Sequence, residues 1–278
     1  MVNIEKFELP PLPETLLNCM TYMYKNDFNY ETLIKKITTD VGLTGKIFHL
    51  ANSQLYSQGG KATDNLLQAM ARIGANNLLK ILTDEYYKAG FGSIKIDFFT
   101  LKDFSLHSSF VSHIAVLIAE QLKIENSNDL MIAALFHDIG HLARYVCDQK
   151  TMVDLISKCK ENKCDFYTQE KNDNITPHNI IGREVAKKWN LSPRVTYLIE
   201  HHHTPEAERP DSGDIHLSRD LEILMFSDIL AHRMKIGYNN YVRDTRITKY
   251  FLDRIGITSE VAAKIAKDTV KATLAFNF

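Results

Sequence analysis

The sequence predicts a nearly all-helical protein. Apolar residues recur at helical spacing along most of its 278 positions, and no segment alternates apolar and polar residues as a half-buried strand would. Glycine and proline are sparse, at 12 and 7.

Start and stop signals divide the chain into elements. Leu9-Pro10-Pro11-Leu12-Pro13 is a stiff, extended lead-in to a first helix. Asn29 is placed to cap YETLIKKITTD, and Asp40 to cap VGLTGKIFHLANS. Beyond the polar turn SQGGKAT, the segments TDNLLQAMARIG and ANNLLKILTDEYYKAG form two helices broken at Gly74. Residues 90–98, GFGSIKIDF, interrupt the periodicity, so two helical lobes are expected, 1–92 and 93–278. The second half opens with a long helix, FTLKDFSLHSSFVSHIAVLIAEQL. NDLMIAALFHDIG, a shorter helix to about residue 160 and a polar stretch, NKCDFYTQEKNDN, come next. Thr176 before Pro177, and Ser192 before Pro193, each read as a hydroxyl cap with proline at the first helical position. Two last helices cover about 217–236 and 258–275.

Composition narrows the function classes. A formal net charge of -1 gives no basic field for nucleic acid. No apolar run approaches the ~20 residues that cross a bilayer, and MVNIEKFELPPLPE lacks the apolar stretch of a signal peptide. A cytoplasmic chain with no membrane or nucleic-acid partner is expected. Cys19, Cys147, Cys159 and Cys164 are irregularly spaced and read as reduced thiols; Cys159 and Cys164 have no second pair with which to complete a zinc site.

Histidine is the unusual residue: six of the 11 fall between 137 and 203. Helical phase sorts them. His107 continues the apolar stripe of Phe104, Val111, Ile114 and Ile118, whereas His113 falls on the polar side. In SPRVTYLIEHHHTPE, His202 continues the buried face of Val195, Leu198 and Ile199, with His201 and His203 to either side. Asp228 follows Leu221, Leu224 and Met225 on one face, and His137-Asp138 ends the apolar run LMIAALF. Taken singly, an inward histidine is explained by a hydrogen bond in the core, and an inward aspartate by a cap or by an arginine such as Arg144 or Arg183. Taken together, His107, His137, Asp138, His202 and Asp228, with His178 and His203 beside them, suit one or two first-row divalent metals. Iron, manganese, zinc and nickel all accept such donors.

The order of these residues resembles a known signature. His107, His137-Asp138 in FHDIGHL, His178, His202-His203 and Asp228 reproduce the "H … HD … H … HH … D" pattern of the HD superfamily of metal-dependent phosphohydrolases. The stretches LPPLPETLLNCM, TTDVGLTGKIFHLANSQLY, KATDNLLQAMARIGANNLLKIL and HNIIGREVAKKWNLSPRVTYLIEHHHTPE resemble its HDOD (HD-related output domain) branch over about residues 8 to 206. The resemblance implies an HD-like helical core with an added N-terminal helical lobe, and a role in bacterial signal transduction. It also implies metal ligands at His107, His137, Asp138, His178, His202, His203 and Asp228. Many HDOD domains have lost such ligands; this chain retains a nearly complete set. It departs from the cyclic-dinucleotide phosphodiesterase branch, which carries lysine after HDIG where this chain has His141, and a GYP-type segment where this chain has TPEAERPDSGD.

Two functions follow. One is a regulatory module acting on a signalling-protein partner, its HD core retained for structure or for sensing a ligand. The other is a phosphohydrolase acting on a nucleotide or small phosphoester, with Asp138 bridging two metals and essential to activity. His141 and Lys188 are then candidates to contact phosphate. The acidic run Glu206, Glu208, Asp211 and Asp214, against Arg209, is expected to repel a polyanionic dinucleotide.

Overall fold

The computed structural model describes residues 11–13, 15–16, 19, 30–57, 59–91, 95–96, 99–124, 127–210, 213–238 and 249–275. Leu9, Pro10, the cap expected at Asn29, and residues 92–94 and 97–98 of the expected boundary lie outside them. The fold is all-α. The chain divides into two compact units, Pro11–Gly90 and a second that runs on from Phe91.

The first unit contains α1 (Tyr30–Ile37), α2 (Val41–Ala51), a one-turn α3 (Gln54–Ser57), α4 (Leu66–Ile73) and α5 (Ala75–Phe91). Asp40 caps α2 as expected, its carboxylate accepting the Leu43 N–H at 2.9 Å. Asn52 closes the polar turn: its side chain accepts the Thr63 N–H at 2.8 Å and donates to the Thr63 carbonyl at 3.0 Å. Helix α4 packs against α1 and α2 through buried Leu33, Ile37, Leu43, Ile47, Met70 and Ile73. It stops at Gly74, whose φ of 81° is one that glycine adopts freely.

The second unit opens with a two-residue antiparallel ladder, Lys95–Ile96 (β1) with Phe99–Thr100 (β2), where no strand is expected. A pair this short has no alternating pattern to read. The helices are α6 (Leu101–Gln121), α7 (Asn128–Phe136), α8 (Ile139–Cys147), α9 (Gln149–Asn162), α10 (Phe166–Asn172), α11 (His178–Lys188), α12 (Pro193–His201), α13 (Ile215–Arg233), α14 (Lys249–Ile255) and α15 (Ser259–Ala275). Helix α7 packs on α6 and α12, α8 on α11, and α13 on α6. Gly140 sets the approach of α8 to α11: a β-carbon there would be driven into the His178 carbonyl and the Gly182 backbone.

Three expected elements differ. The helix expected through HDIG breaks into α7 and α8, and His137 and Asp138 form the turn between them. The polar stretch 162–174 contains α10, which Asp165 caps by accepting the Thr168 N–H at 2.7 Å. Thr176 does not cap α11. Its first free N–H, at His178, is instead accepted by Glu170 of α10 at 3.0 Å. Ser192 does cap α12, with Pro193 at its start.

Candidate metal centre

Each donor is carried by the face or turn that helical geometry assigns to it. His107 lies on the buried stripe of α6, and Asp228 on the buried side of α13. His137 and Asp138 project from the α7–α8 turn, His178 from the first turn of α11, and His202 and His203 from the end of α12. His107, His137, Asp138, His178, His202 and Asp228 are all buried, and His203 is partly exposed. His201 is partly exposed as well, so the His-His-His triplet splits as helical phase predicts, with His202 inward.

The donors converge on Asp138, and its two oxygens face different groups. Oδ2 lies 3.0 Å from His137 Nε2 and 3.6 Å from His107 Nε2. Asp228 Oδ1 joins this side, at 3.3 Å from His107 Nε2 and 3.7 Å from His137 Nε2. Oδ1 of Asp138 lies 3.3 Å from His178 Nε2 and 3.5 Å from His202 Nε2. His203 Nε2 completes this side, 3.0 Å from His178 Nε2. Asp138 with His107 and His137, and Asp138 with His178, His202 and His203, form two sets whose donor atoms all lie within 4.8 Å of one another.

The other nitrogen of each ring fixes its tautomer. Nδ1 of His107 meets the Ile236 carbonyl at 3.3 Å, that of His137 the Ala134 carbonyl at 2.9 Å, and that of His202 the Ile199 carbonyl at 2.7 Å. A carbonyl only accepts, so Nδ1 carries a hydrogen, and each ring in its neutral form turns an Nε2 lone pair inward. His107 Nε2 and His137 Nε2 face each other at 3.4 Å, so that a proton on one of them, or a cation between them, must relieve the facing lone pairs. His202 Nε2 is buried without a hydrogen-bond partner. Such an atom is costly unless something else satisfies it. These imidazoles, once neutral, and two carboxylates fit a first-row divalent ion.

His178 is oriented by charge instead. Its Nδ1 lies 2.7 Å from Glu170 Oε2, and Arg144 Nη2 donates to Glu170 Oε1 at 2.9 Å and also to the Thr176 carbonyl. Arg144 and Glu170 are fully buried, and ligand-orienting partners of this kind raise the basicity of the ring they hold.

The protonation of the cluster follows from these contacts. Burial opposes charge on His137, but Asp138 and Asp228 outweigh it and raise the ring to about 10. Burial likewise opposes charge on His178, and Glu170 and Asp138 raise it to about 9. His202 is pushed down to about 4 by burial. Asp138 is held well below the usual carboxylate range: burial works against its charge, but His137 and the other rings prevail.

Not every expectation survives. Arg144 and Arg183 do not neutralise the aspartates; Arg183 pairs with Glu184 and Glu200, both at 2.6 Å. Lys188 is exposed at the far end of α11, ~15 Å along the helix axis from His178, so it is no phosphate contact. His141 is buried and stacked on His178, with ring centroids 4.0 Å apart. Of the acidic run, Asp214 caps α13 and pairs with Arg194 at 3.1 Å, and Asp211 lies outside the described residues. Among the described residues, no cysteine joins a metal-capable group.

Three groups at the centre were missed. Glu170 sits in a stretch that composition marks as polar. His232 lies one turn after Asp228, its Nε2 3.1 Å from Asp228 Oδ1, and the i, i+4 spacing would have revealed it. Tyr238 donates a hydrogen bond to Asp138 Oδ2 and follows the end of α13, where no periodicity signals a buried residue.

Known proteins share this arrangement of helices. A crystal structure of an HDOD domain protein of unknown function from Geobacter sulfurreducens aligns with TM-score 0.79 at 22% identity, over 96% of this chain and 92% of that one. A candidate signal-transduction protein from Marinobacter aquaeolei VT8 aligns with TM-score 0.74 at 16% identity, over 98% of this chain and 62% of that one. A candidate metal-dependent phosphohydrolase from Shewanella amazonensis SB2B aligns with TM-score 0.56 at 19% identity, over 97% and 93%. These likenesses establish the fold alone. An uncharacterized protein of Treponema pallidum (strain Nichols) is 22% identical over 212 residues, which are 73% of this chain and 40% of that protein. The chain thus spans about two fifths of the length of that curated relative. The sequence itself matches the HDOD domain over residues 9–205, and the chain is a member of the HDOD family.

Proposed function

We propose that this chain is a regulatory HDOD module of bacterial signal transduction whose HD centre still holds divalent metal. His107, His137, Asp138 and Asp228 hold one ion, and Asp138, His178, His202 and His203 hold the second. One observation carries the reading: Nε2 lone pairs pinned by Nδ1 contacts converge on the two oxygens of one buried aspartate. Bound metal supplies positive charge that locks α6, α8, α11, α12 and α13 into one arrangement, which a signalling-protein partner reads. Neither a nucleic acid nor a membrane is part of this reading. The lobes 1–92 and 93–278 are its two parts.

A second reading, hydrolysis of a nucleotide or small phosphoester, draws on the same observation, because a shared carboxylate suits a two-metal site that activates water. Burial weighs against it. The side chains of His107, His137, Asp138, His178, His202 and Asp228 are at most 3% exposed, and a phosphoryl group needs room. Arg144, the arginine beside His178, is already committed to Glu170. Metal analysis of protein purified without a histidine tag, followed by a phosphoester screen, tests both readings. Bound metal without turnover fits the first; metal-dependent turnover abolished by Asp138→Ala establishes the second.

A further inference from the structure

The segment after α13 is built onto the centre. Lys235 and Gly237 take φ of 56° and 83°, turning the chain back over α6. The Ile236 carbonyl meets His107 Nδ1, and a β-carbon at Gly237 would strike the Asp103 carbonyl and the β-carbon of His107. Glycine is required there on both counts. Tyr238 is thereby delivered into the core, 3% exposed, its ring 4.7 Å from that of His107 and 6.1 Å from that of Phe104. Its hydroxyl reaches Asp138 Oδ2, the oxygen that His107 and His137 also face.

We propose that Tyr238 is itself a ligand of the ion held by His107, His137, Asp138 and Asp228. The proposal rests on the metal reading above and deepens it. A phenol oxygen in contact with one ligand oxygen, beside two ring nitrogens aimed at the same region, stands where a coordinating oxygen belongs. As it takes the ion, the phenol gives its proton to solvent. The position it fills is one that a metal hydrolase keeps open for water or substrate. Tyr238 thus closes this side of the centre and accounts for a nearly complete ligand set in a regulatory module. The residue lies beyond the family match at 9–205, so the closing ligand belongs to the C-terminal part of this chain.

Iron is the probe, since ferric tyrosinate has a visible charge-transfer band. The full chain is loaded with ferrous iron under argon and then oxidised by dioxygen, which takes one electron per iron. The expected result is a coloured protein whose resonance Raman spectrum, excited in that band, shows phenolate ring modes. Tyr238→Phe should take up iron without the band, with affinity for one ion lowered by at least about 10-fold, the lower end of what orienting partners contribute. Iron uptake with no phenolate modes in the wild type overturns the proposal and leaves the metal reading standing. So does a band that persists in Tyr238→Phe. A folded protein that takes up no metal overturns both.

Discussion

The two oxygens of Asp138 look onto unlike surroundings. On the Oδ2 side, His107 and His137 are held by backbone carbonyls, and Tyr238 lies against His107 and Asp138. On the Oδ1 side, His178 is held by a carboxylate that depends on a buried arginine, and His203 is partly exposed against the Tyr167 ring at 4.9 Å. Backbone support is set by the fold and cannot be lost by changing one side chain. Carboxylate support makes the ring a stronger donor but rests on two more residues. The first side is therefore the rigid one, and the second, where His202 alone has a backbone carbonyl behind it, is the side that substitution and solvent can adjust.

The largest effect should come from the shared residue. Asp138→Ala is expected to abolish binding of both ions, because each side loses the shared carboxylate: His107 and His137 keep only Asp228, and His178, His202 and His203 keep no carboxylate ligand. Titration calorimetry with zinc checks this. Retention of one ion at wild-type affinity would mean that Asp138 serves a single side.

Glu170→Gln should separate the sides. Affinity on the Oδ1 side should fall by about 10–100-fold, as for other orienting partners, while the Oδ2 side is unaffected. The variant should also lose about 3–5 kcal/mol of stability, since Arg144 is left buried without its counter-charge. Equal weakening of both ions would erase the distinction.

Protonation sharpens the comparison further. In the metal-free protein His137 and His178, raised to about 10 and about 9, each carry a proton at neutral pH. Loading should release about three protons per chain at pH 7, one each from His137, His178 and the Tyr238 phenol, and about two in Tyr238→Phe, read by calorimetry in buffers of different ionisation enthalpy. The same shifts set the stability of the metal-free protein. His137 and His178 bind protons more tightly when folded, so their contribution is complete below about pH 6.5 and lost as pH rises through about 9 and about 10. His202, lowered to about 4, acts in reverse: its contribution is present above about pH 6.5 and lost as pH falls toward 4. Melting of chelator-treated protein that is flat from pH 4 to 10 would contradict this.

The smallest effect is a control away from the centre. Asp214 accepts the His216 N–H at 2.8 Å as the cap of α13. Asp214→Ala should lower the chemical-denaturation midpoint slightly and leave metal affinity unchanged.

Much of this was legible in the sequence, for a physical reason. Helices have a fixed period, so the neighbours of His107, His202 and Asp228 were enough to put them on buried faces, and the structure buries all three. Helical phase set His178 only beside the inward group, and the family pattern made it a ligand. What was not legible depends on contacts between elements. Glu170 replaces the cap assigned to Thr176 only because α10 lies against the start of α11, and nothing in NKCDFYTQEKNDN announces that. Tyr238 is inward because a left-handed turn at Gly237 aims it there, and a turn has no period to read. The break between α7 and α8 at His137-Asp138 was hidden by an apolar run that looks helical throughout.

The central claim is that Asp138 organises a centre for two metal ions. Elemental analysis of the untagged protein by mass spectrometry, with an Asp138→Ala control of verified fold, tests it most directly. The account predicts about two divalent ions per wild-type chain and none in the variant. A folded wild-type protein that carries no metal as purified and takes up none on titration would contradict it.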